Sequence, residues 1–207
     1  MEQITIRPFQ ESDLVEAVVV TTRAYDTNPL GDAVYRGHPE KLRFQEASNR
    51  QILARAPGQV FIAEKDGKVI GMMRMTEWPQ CQITLSFFQT LRIIVPALLS
   101  RNRGVVLRRM AARSVWTRHH PNKPHWHLGP IAVIPELQRR GIGSQLLEHF
   151  CRIVDQSGQA AYLETDKPEN VCLYERFGFQ VIEEGPVVGI PNWFMWRPPR
   201  PPATPKT

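Results

Sequence analysis

The chain of 207 residues has few cysteines and no long hydrophobic segment. Its three cysteines, Cys81, Cys151 and Cys172, are far apart and form no C-x-x-C pair, which argues against a disulfide framework or a zinc site. We therefore expect all three to be small buried residues. The most apolar stretch, residues 91–99, is interrupted by an arginine and a proline, and it is shorter than the roughly 18 residues of a membrane span.

The N-terminus also lacks a basic and then apolar leader, which favours a cytoplasmic protein. The 26 Lys and Arg residues outnumber the 20 Asp and Glu residues and give a formal net charge of +6. A positive balance suits either nucleic acid or a phosphorylated cofactor, so charge alone does not separate the two. Residues 198–207 are rich in proline and predict an extended tail after a single domain of residues 1–197.

Strand and helix patterns alternate along the chain and predict a mixed α/β (α+β) sheet. Asp66-Gly67 predicts a hairpin between strands over residues 59–64 and 68–75. Further strands are predicted over residues 4–7, 126–133, 160–164, 180–184 and 193–196, and helices over 14–25, 39–54, 138–155 and 169–177. In the helix over 39–54, Leu42, Ile52 and Leu53 are expected to face the core. Residues 78–120 are expected to form a helical insertion before the fourth strand of a sheet of about seven, mostly antiparallel strands.

The most informative segment, residues 128–147, runs from an apolar strand through a basic turn into a helix. Free amides at a helix start and the positive end of the helix dipole together form an anion site. Gly141 and Gly143 let the backbone approach a ligand, and Arg139 and Arg140 add charge that suits phosphate. The turn predicts a pyrophosphate-bearing cofactor, although a left-handed turn before an ordinary basic helix has the same pattern. A dinucleotide fold is less favoured because a leucine replaces the third glycine of G-x-G-x-x-G.

This segment resembles the signature of the GNAT N-acetyltransferase family. Residues 138–143, Gln-Arg-Arg-Gly-Ile-Gly, match the Q/R-x-x-G-x-G/A pattern, and the Ile-Ala-Val run before Pro135 is similar to the family's fourth strand. Residues 162–166 and 169–179 resemble its fifth strand and the helix that follows. Within the family, the sequence is most similar to the puromycin N-acetyltransferase-like branch, through its Leu-Glu-Thr run, its Tyr-Glu-Arg-Phe-Gly-Phe run and its Trp-rich ending.

The resemblance implies acetyl-CoA as the cofactor, which enters a gap where the fourth and fifth strands splay apart. Backbone groups of the fourth strand would bind the pantetheine arm and orient the acetyl carbonyl, and amides of the turn would bind the pyrophosphate. The cofactor-binding residues that it implies are Ile131, Ala132, Val133, Gln138, Arg139, Arg140, Gly141, Ile142, Gly143, Ser144, Asn170 and Tyr174.

The resemblance also implies catalytic roles. Tyr174 would be the general acid that protonates the departing thiolate of CoA, the alternative being an aromatic residue of the core. An amine must lose a proton before it attacks a thioester, and His127 occupies the position of the glutamate that histone-type members carry. Glu164 is the second candidate for this base. In the alternative interpretation, His127 is a packed, hydrogen-bonded histidine and Glu164 is a structural ion-pair partner. The reaction could also proceed without a dedicated base.

The predicted insertion combines arginines with aromatic residues. It could bind nucleic acid or a membrane surface, but an amphipathic helix pair that packs on the sheet is favoured. It could also form a wall of the acceptor pocket. In that case a set of aromatic and methionine side chains would favour a hydrophobic or aromatic acceptor: Met72, Met75, Trp78, Phe87 and Phe88.

Four histidines are close in sequence: His119, His120, His125 and His127. Their spacing matches no established ligand pattern and two prolines interrupt them, so no metal site is predicted. The expected function is acetyl transfer to the amine of a small molecule, by direct attack in a ternary complex. A non-catalytic acyl-CoA sensor and an O-acetyltransferase are the alternatives. A homodimer is the expected assembly, because dimers are the commonest assembly among soluble homo-oligomers.

Overall fold

A computed structural model describes residues 4–82, 91, 95–96 and 102–200. Within these residues, seven strands form one sheet in the order β1-β2-β3-β4-β5-β7-β6. The strands are β1 (Thr5–Pro8), β2 (Gln59–Lys65), β3 (Lys68–Glu77), β4 (His125–Val133), β5 (Ala160–Thr165), β6 (Gln180–Val187) and β7 (Ile190–Arg197). Neighbouring strands are antiparallel except β4 and β5, which are parallel. The predicted mixed, mostly antiparallel sheet is confirmed.

The α-helices of the described residues are α1 (Leu14–Ala24), α2 (Pro29–Tyr35), α3 (Lys41–Arg55), α4 (Arg103–His119), α5 (Ile142–Ser157) and α6 (Pro168–Arg176). None of them is both long and apolar enough to cross a membrane. Of the predicted helical insertion, α4 is described, and most of residues 83–101 lie outside the described ranges.

The hairpin between β2 and β3 forms where its turn residues predict it. Asp66 and Gly67 have φ angles of 52° and 71°, which a two-residue hairpin turn requires at both central positions. The register then pairs Lys65 with Lys68. This hairpin places β3 beside β4 and so supports the strand that carries much of the candidate site.

Helices cover both faces of the sheet because successive strand residues point to opposite sides. On one face, Leu146, Leu147 and Phe150 of α5 pack on Phe61 and Met73 of the sheet. On the opposite face, two further clusters form. Ala17, Val18 and Leu53 pack with Ile62 and Met72, and Val34 and Val105 pack with Tyr162 and Phe194. Helix α4 therefore lies over β5 and β7, while most of the rest of the predicted helix pair falls outside the described residues.

Helix α2 was not predicted, because Asn28-Pro29 has the pattern of a turn. The same residues begin a helix: the Asn28 side chain accepts a hydrogen bond from the Gly31 amide at 2.9 Å, and Pro29 occupies the first helical position. The expectation for Leu42 is also wrong, since this side chain is 52% exposed. It shares a helix face with the buried Leu53, but the two lie about 16 Å apart along the axis and have different neighbours.

The cysteines differ from one another in burial. Cys151 is buried in the core, as expected, whereas Cys172 is exposed on α6 and Cys81 is half-buried. The prediction for Cys172 fails because α6 covers the sheet with only one of its faces, where Tyr174 is buried. Cys81 lies in the turn after β3, where its sulfur contacts the polar side chains of His120 and His125.

Candidate active site

The parallel strands β4 and β5 pair only where they begin. The three pairs in the described sheet join residues 125–127 to residues 160–162, ending with His127 opposite Tyr162. Beyond this point the two strands diverge. A bulge in β4 contributes to the divergence. Met73 and Met75 of β3 pair with Ile131 and Leu128 of β4, so β4 has one extra residue between these two pairs. The result is a gap between the second halves of β4 and β5, which is where the resemblance predicts the cofactor.

Ile131, Ala132 and Val133 form the β4 side of this gap while their other edge pairs with β3. The Tyr25 hydroxyl, at the end of α1, donates a hydrogen bond to the Ile131 carbonyl oxygen at 3.0 Å. Burial raises the pKa of Tyr25 to about 12, so the phenol keeps its proton at neutral pH. Sequence analysis missed Tyr25, because nothing in the sequence of α1 relates it to a strand about a hundred positions later.

The predicted cofactor turn is confirmed as a turn, but the helix begins later than predicted. Helix α5 starts at Ile142 rather than Gln138, because Arg139 and Gly141 have φ angles of 62° and 84°, which end any helical path. Gln138 instead donates a hydrogen bond from Nε2 to the Val133 carbonyl at 3.0 Å, tying the turn to the end of β4.

The first amides of α5 are free to bind an anion. Gly141 is the N-cap of the helix and has no side chain that could accept from the amides of Ile142, Gly143 and Ser144. The side chains of Arg139 and Arg140 are exposed beside them. Backbone donors, the helix dipole and two cations therefore converge on one surface.

Gly143 provides a test of whether a ligand fits here. Its φ lies outside the left-handed region, and a Cβ added to it would meet no described atom within 4 Å. Neither backbone strain nor packing within the described chain therefore requires glycine at this position. The open space over Gly143 is what a pyrophosphate group needs if it approaches the backbone amides closely, so the residues fit CoA.

A cleft of about 230 Å³ lies beside the turn. It is lined by Arg23, Ala24, Asp26, Thr27, Pro135 and Gln138. An ion pair between Arg23 and Glu136 links its two walls, the end of α1 and the residues after β4. The cleft therefore continues from the turn toward the region where Tyr25 enters the gap. A second cavity, of about 280 Å³, lies on the β6–β7 hairpin, and no predicted site residue lines it.

The two candidate bases form a pair. His127 Nε2 lies 2.6 Å from Glu164 Oε2, and their side chains are 20% and 14% exposed. Burial opposes ionisation of Glu164, but the charge and the hydrogen bond of His127 outweigh it and hold the pKa of Glu164 below its ordinary value. The ionised carboxylate accepts a hydrogen bond from Nε2–H. A neutral His127 ring therefore has its free lone pair on Nδ1, which can accept a proton.

Tyr174 lies on α6 and is only 6% exposed. Its ring packs edge-on against Phe179, with the ring centroids 6.0 Å apart. Burial raises the pKa of Tyr174 above its ordinary value, and the nearby Tyr25, Asp166 and Glu164 raise it further. The phenol therefore stays protonated at neutral pH, which a general acid requires.

Asp166, which sequence analysis did not single out, fixes the loop after β5. Its carboxylate accepts hydrogen bonds from Asn28 Nδ2 at 2.9 Å and from the Leu30 amide at 3.0 Å. Asn170, one turn before Tyr174 on α6, donates from Nδ2 to Thr165 Oγ1 at 3.4 Å. The start of α2 is therefore held beside the gap, where it can form part of the acceptor side.

The predicted aromatic and methionine wall is corrected by the structure. Met72 and Met75 are fully buried in the packed clusters on opposite faces of the sheet, so neither can line an open pocket. The two methionines are three positions apart on β3, so they face opposite sides of the sheet, and helices cover both sides. The sequence does not show which residues the helices cover. Trp78 is partly exposed, while Phe87 and Phe88 lie outside the described residues.

The four histidines that are close in sequence separate into three environments. His119 stacks on Phe194 at 4.1 Å, and its Nε2 lies 3.2 Å from Glu183 Oε1. His127 faces Glu164, as described above. His120 and His125 converge on Cys81: their Nε2 atoms lie 3.3 Å and 3.7 Å from its sulfur. Burial raises the pKa of Cys81 to about 11 and lowers that of His120 to about 4, and it also lowers the pKa of His125.

Residues 31–179 match the sequence profile of the Acetyltransferase (GNAT) family. Solved structures with low sequence identity share the fold. One is described as histone acetyltransferase HPA2 and related acetyltransferase from Corynebacterium glutamicum; it is 22% identical, has a TM-score of 0.66, and the match covers 99% of this chain and 100% of that one.

Two further solved structures contain the cofactor or its product. A GNAT family acetyltransferase from Brucella melitensis, in complex with acetyl-CoA, is 18% identical over 99% of this chain and 93% of that one, with a TM-score of 0.54. The PaiA N-acetyltransferase from Thermoplasma acidophilum, in complex with coenzyme A, is 14% identical over 95% of this chain and 99% of that one, with a TM-score of 0.55.

Proposed function

The chain belongs to the acetyltransferase (GNAT) family, whose cofactor is acetyl-CoA, and on this premise we propose that it acetylates the amine of a small molecule. The observation that carries the proposal is the His127–Glu164 pair at the point where β4 and β5 separate. A base at this point can take a proton from an acceptor that approaches the end of the gap, and Tyr174 lies on α6, the helix that follows β5.

The proposal assigns a group of residues to each part of the bound cofactor. Acetyl-CoA, when bound, supplies an activated acetyl thioester. The amides of Ile142, Gly143 and Ser144 bind its pyrophosphate, with Arg139 and Arg140 adding positive charge. Backbone groups of β4 and the Asn170 side chain bind the pantetheine arm and keep it in the gap between the strands.

In the proposed reaction, Glu164 holds the His127 ring so that Nδ1 takes the proton of the acceptor ammonium, directly or through a water molecule. The neutral amine then attacks the thioester carbonyl in a ternary complex. As the C–S bond breaks, Tyr174 donates its proton to the departing thiolate of CoA, and the attacking nitrogen, which carries one excess proton after addition, returns a proton to the phenolate. Burial supports this role because it keeps the phenol protonated at neutral pH, so its hydroxyl can donate to the sulfur.

Several finer assignments are part of the same proposal. A small amine with a hydrophobic or aromatic group is the proposed acceptor, in line with the similarity of residues 163–165 and 174–179 to the puromycin N-acetyltransferase-like branch. We also propose a cytoplasmic enzyme, active as a homodimer, with a single domain over residues 1–197. O-acetylation and acyl-CoA sensing without turnover are the competing functions.

The test combines cofactor binding with turnover. Acetyl-CoA titration by calorimetry is expected to give one site per chain, and a screen of small amines, followed by thiol release, is expected to give an acceptor. Tyr174→Phe should retain cofactor binding but lower kcat on the order of 100-fold, a typical contribution of a general acid. Tyr35→Phe, at a buried tyrosine outside the site, is the matched control.

The outcomes distinguish the three functions. Acetylated amines support the proposal, whereas products from alcohols alone would establish O-acetylation. Binding with no turnover by any acceptor, unchanged in Tyr174→Phe, would indicate a sensor. A folded wild-type chain that does not bind acetyl-CoA would contradict the proposal altogether.

A further inference from the structure

Three side chains that the proposed acetyl transfer does not use converge on the acceptor side of the sheet. Cys81 lies in the turn after β3, His120 directly follows α4, and His125 begins β4. Their ligand atoms, Cys81 Sγ and one ring nitrogen of each histidine, all lie within 4.8 Å of one another. They come from three separate segments, so no sequence spacing predicts them as a group.

The two sulfur–nitrogen distances in this group are close to those of tetrahedral coordination. With Zn–S bonds of about 2.3 Å and Zn–N bonds of about 2.0 Å, tetrahedral angles place sulfur and nitrogen ligands about 3.5 Å apart. The Cys81 sulfur lies 3.3 Å from His120 Nε2 and 3.7 Å from His125 Nε2. An ion can therefore be bound with small rotations of the two rings.

His125 is held in the tautomer that a metal ligand requires. Its Nδ1 lies 2.7 Å from the Lys123 carbonyl oxygen, which can only accept a hydrogen bond. The proton is therefore on Nδ1, and the lone pair of Nε2 points toward Cys81. A histidine that ligates through one nitrogen and donates from the other to a carbonyl is the usual arrangement at zinc sites. The ring is fully buried, so this orientation is fixed by packing as well.

The segments that carry the ligands are also tied together independently of them. The Trp78 amide donates to the His125 carbonyl at 2.9 Å, and Gln82 Nε2 donates to Asn122 Oδ1 at 3.3 Å. These contacts hold the turn after β3 against the loop between α4 and β4, and so preorganise the three ligands before an ion binds.

We propose that Cys81, His120 and His125 form a zinc-binding site that clamps the end of α4 and the turn after β3 to the start of β4. A thiolate and two imidazoles form a ligand set that favours Zn²⁺ over the hard cations Mg²⁺ and Ca²⁺, which prefer oxygen ligands. When the ion binds, the Cys81 thiol loses its proton to solvent. The fourth position is taken by water or by a group of the acceptor, since residues 83–101 contain no Cys, His, Asp or Glu.

This site adjoins the proposed base without including it. The His127 ring lies 5.2 Å from the His120 ring, while its Nε2 is bound to Glu164. A bound ion would fix the position of His120 and, through it, the surface on which an acceptor approaches His127. The inference depends only on the geometry of the three ligands and stands whether or not the chain acetylates amines.

The experiment uses the full chain, stripped of metal and titrated with Co²⁺ as a spectroscopic probe and then with Zn²⁺. The wild type should bind one Co²⁺ per chain, with the thiolate-to-cobalt charge-transfer band and the visible bands of tetrahedral cobalt, and Zn²⁺ should displace it. Cys81→Ser should lose the charge-transfer band. Cys81→Ser and His120→Asn should each weaken binding more than about 100-fold, the upper end of what loss of an outer-shell partner costs.

Each variant has a matched control on the same chain. Cys172→Ser removes an exposed cysteine, and His119→Asn removes the neighbouring histidine that packs on Phe194. Both should keep wild-type cobalt spectra and affinities. A wild type without stoichiometric binding, or a charge-transfer band that survives in Cys81→Ser, would overturn the proposal and leave Cys81 as a thiol hydrogen-bonded to one imidazole. A rise of Tm with Zn²⁺ in the wild type and both controls, absent in Cys81→Ser, is the second readout.

Discussion

The Tyr25 hydroxyl reaches across from the end of α1 and donates a hydrogen bond to the Ile131 carbonyl oxygen, with an O···O distance of 3.0 Å. It thereby satisfies a polar group on the edge of β4 that β5 would pair if the two strands had not separated. The bond joins the helix that borders the cofactor cleft to the strand that lines the gap. We infer that Tyr25 helps to keep the gap open and the edge of β4 in place.

Tyr25→Phe removes this bond and keeps the ring. Loss of a neutral hydrogen bond should lower the free energy of unfolding by about 1 kcal/mol. Because an unanchored β4 edge must be realigned when the cofactor binds, the affinity for acetyl-CoA, measured by calorimetry, should fall by at most about fivefold. We expect kcat to change less than the affinity, because the hydroxyl is assigned to binding and not to proton transfer. Tyr35→Phe serves as the control. If Tyr25→Phe instead abolished turnover while acetyl-CoA bound normally, Tyr25 would be the acid and the assignment to Tyr174 would be wrong.

Glu164→Gln tests whether the carboxylate acts through His127. Glutamine can still accept the hydrogen bond of Nε2–H, but it supplies no charge to the protonated ring. We expect kcat to fall on the order of tenfold with an unchanged affinity for acetyl-CoA. The kcat of wild type and variant is measured across a range of pH, with Tm as the control for folding.

The pH profile separates this role from a structural one. A variant that merely loosened the fold would lower Tm and kcat together at every pH. The deficit in kcat of His127→Gln should instead shrink as the pH rises and more of the acceptor amine loses its proton in solution. An unchanged profile in both variants would indicate a reaction without a dedicated base.

Gly143→Ala separates cofactor binding from folding. The new Cβ meets no described atom within 4 Å, and alanine favours a helix over glycine, so the free energy of unfolding should stay equal or rise by about 0.5 kcal/mol. The same methyl group occupies space that a pyrophosphate would use, so the affinity for acetyl-CoA should fall several-fold. Glu148→Ala, on the exposed side of the same helix, is the control. Equal affinities in the two variants would place the pyrophosphate elsewhere.

The sequence predicts those parts of the site that one continuous segment determines. The Asp66-Gly67 hairpin and the turn around Gly141 are dictated by residues that favour positive φ, and both are present. His127 and Glu164 were candidates as individual residues, but their contact depends on the parallel register of β4 and β5, which pairs His127 with Tyr162. No local pattern contains that register.

Contacts between distant segments account for what the sequence did not predict. Asp166 is bound by the first residues of α2, some 136 positions earlier. Cys81 meets two histidines about 40 positions later, and it was expected to be an inert core residue. Met72 and Met75 were assigned to a pocket wall because a strand pattern shows alternation but not which helices cover each face.

Asp155→Asn tests the ion pair that anchors the last strand. Arg197 of β7 is only 1% exposed, donates from both terminal nitrogens to Asp155 at 2.6 Å and 2.8 Å, and donates from Nε to the Phe177 carbonyl. Removing the negative charge leaves a buried guanidinium without its counter-ion. We expect a loss of about 2 kcal/mol in the free energy of unfolding, at the low side for buried pairs because Asp155 is partly exposed. Urea denaturation measures this, and a change within 0.5 kcal/mol, about the effect of a surface substitution, would contradict it.

The pH dependence of stability should reveal a second ion pair, at the β1 edge of the sheet. Arg7 donates from Nη1 and Nη2 to Asp13 at 2.7 Å and 2.9 Å. The hydrogen bond from Arg7 lowers the pKa of Asp13 below its ordinary value, despite the opposing effect of burial, and the Gln10 amide adds to the lowering. Because the pKa is lower in the folded chain, this contribution to stability is complete above the ordinary pKa of about 3.9 and disappears as the pH falls through the folded value.

Asp13→Asn should therefore lose about 2 kcal/mol in the free energy of unfolding at neutral pH, a typical contribution of hydrogen bonds to a charged group. The difference between wild type and variant should shrink as the pH falls below about 4, because the wild-type carboxyl then also becomes neutral. Glu11→Gln, in the same turn but exposed, is the control and should change neither the stability nor its slope with pH. A wild-type advantage that persists undiminished in acid would show that Asp13 acts through packing and not through its charge.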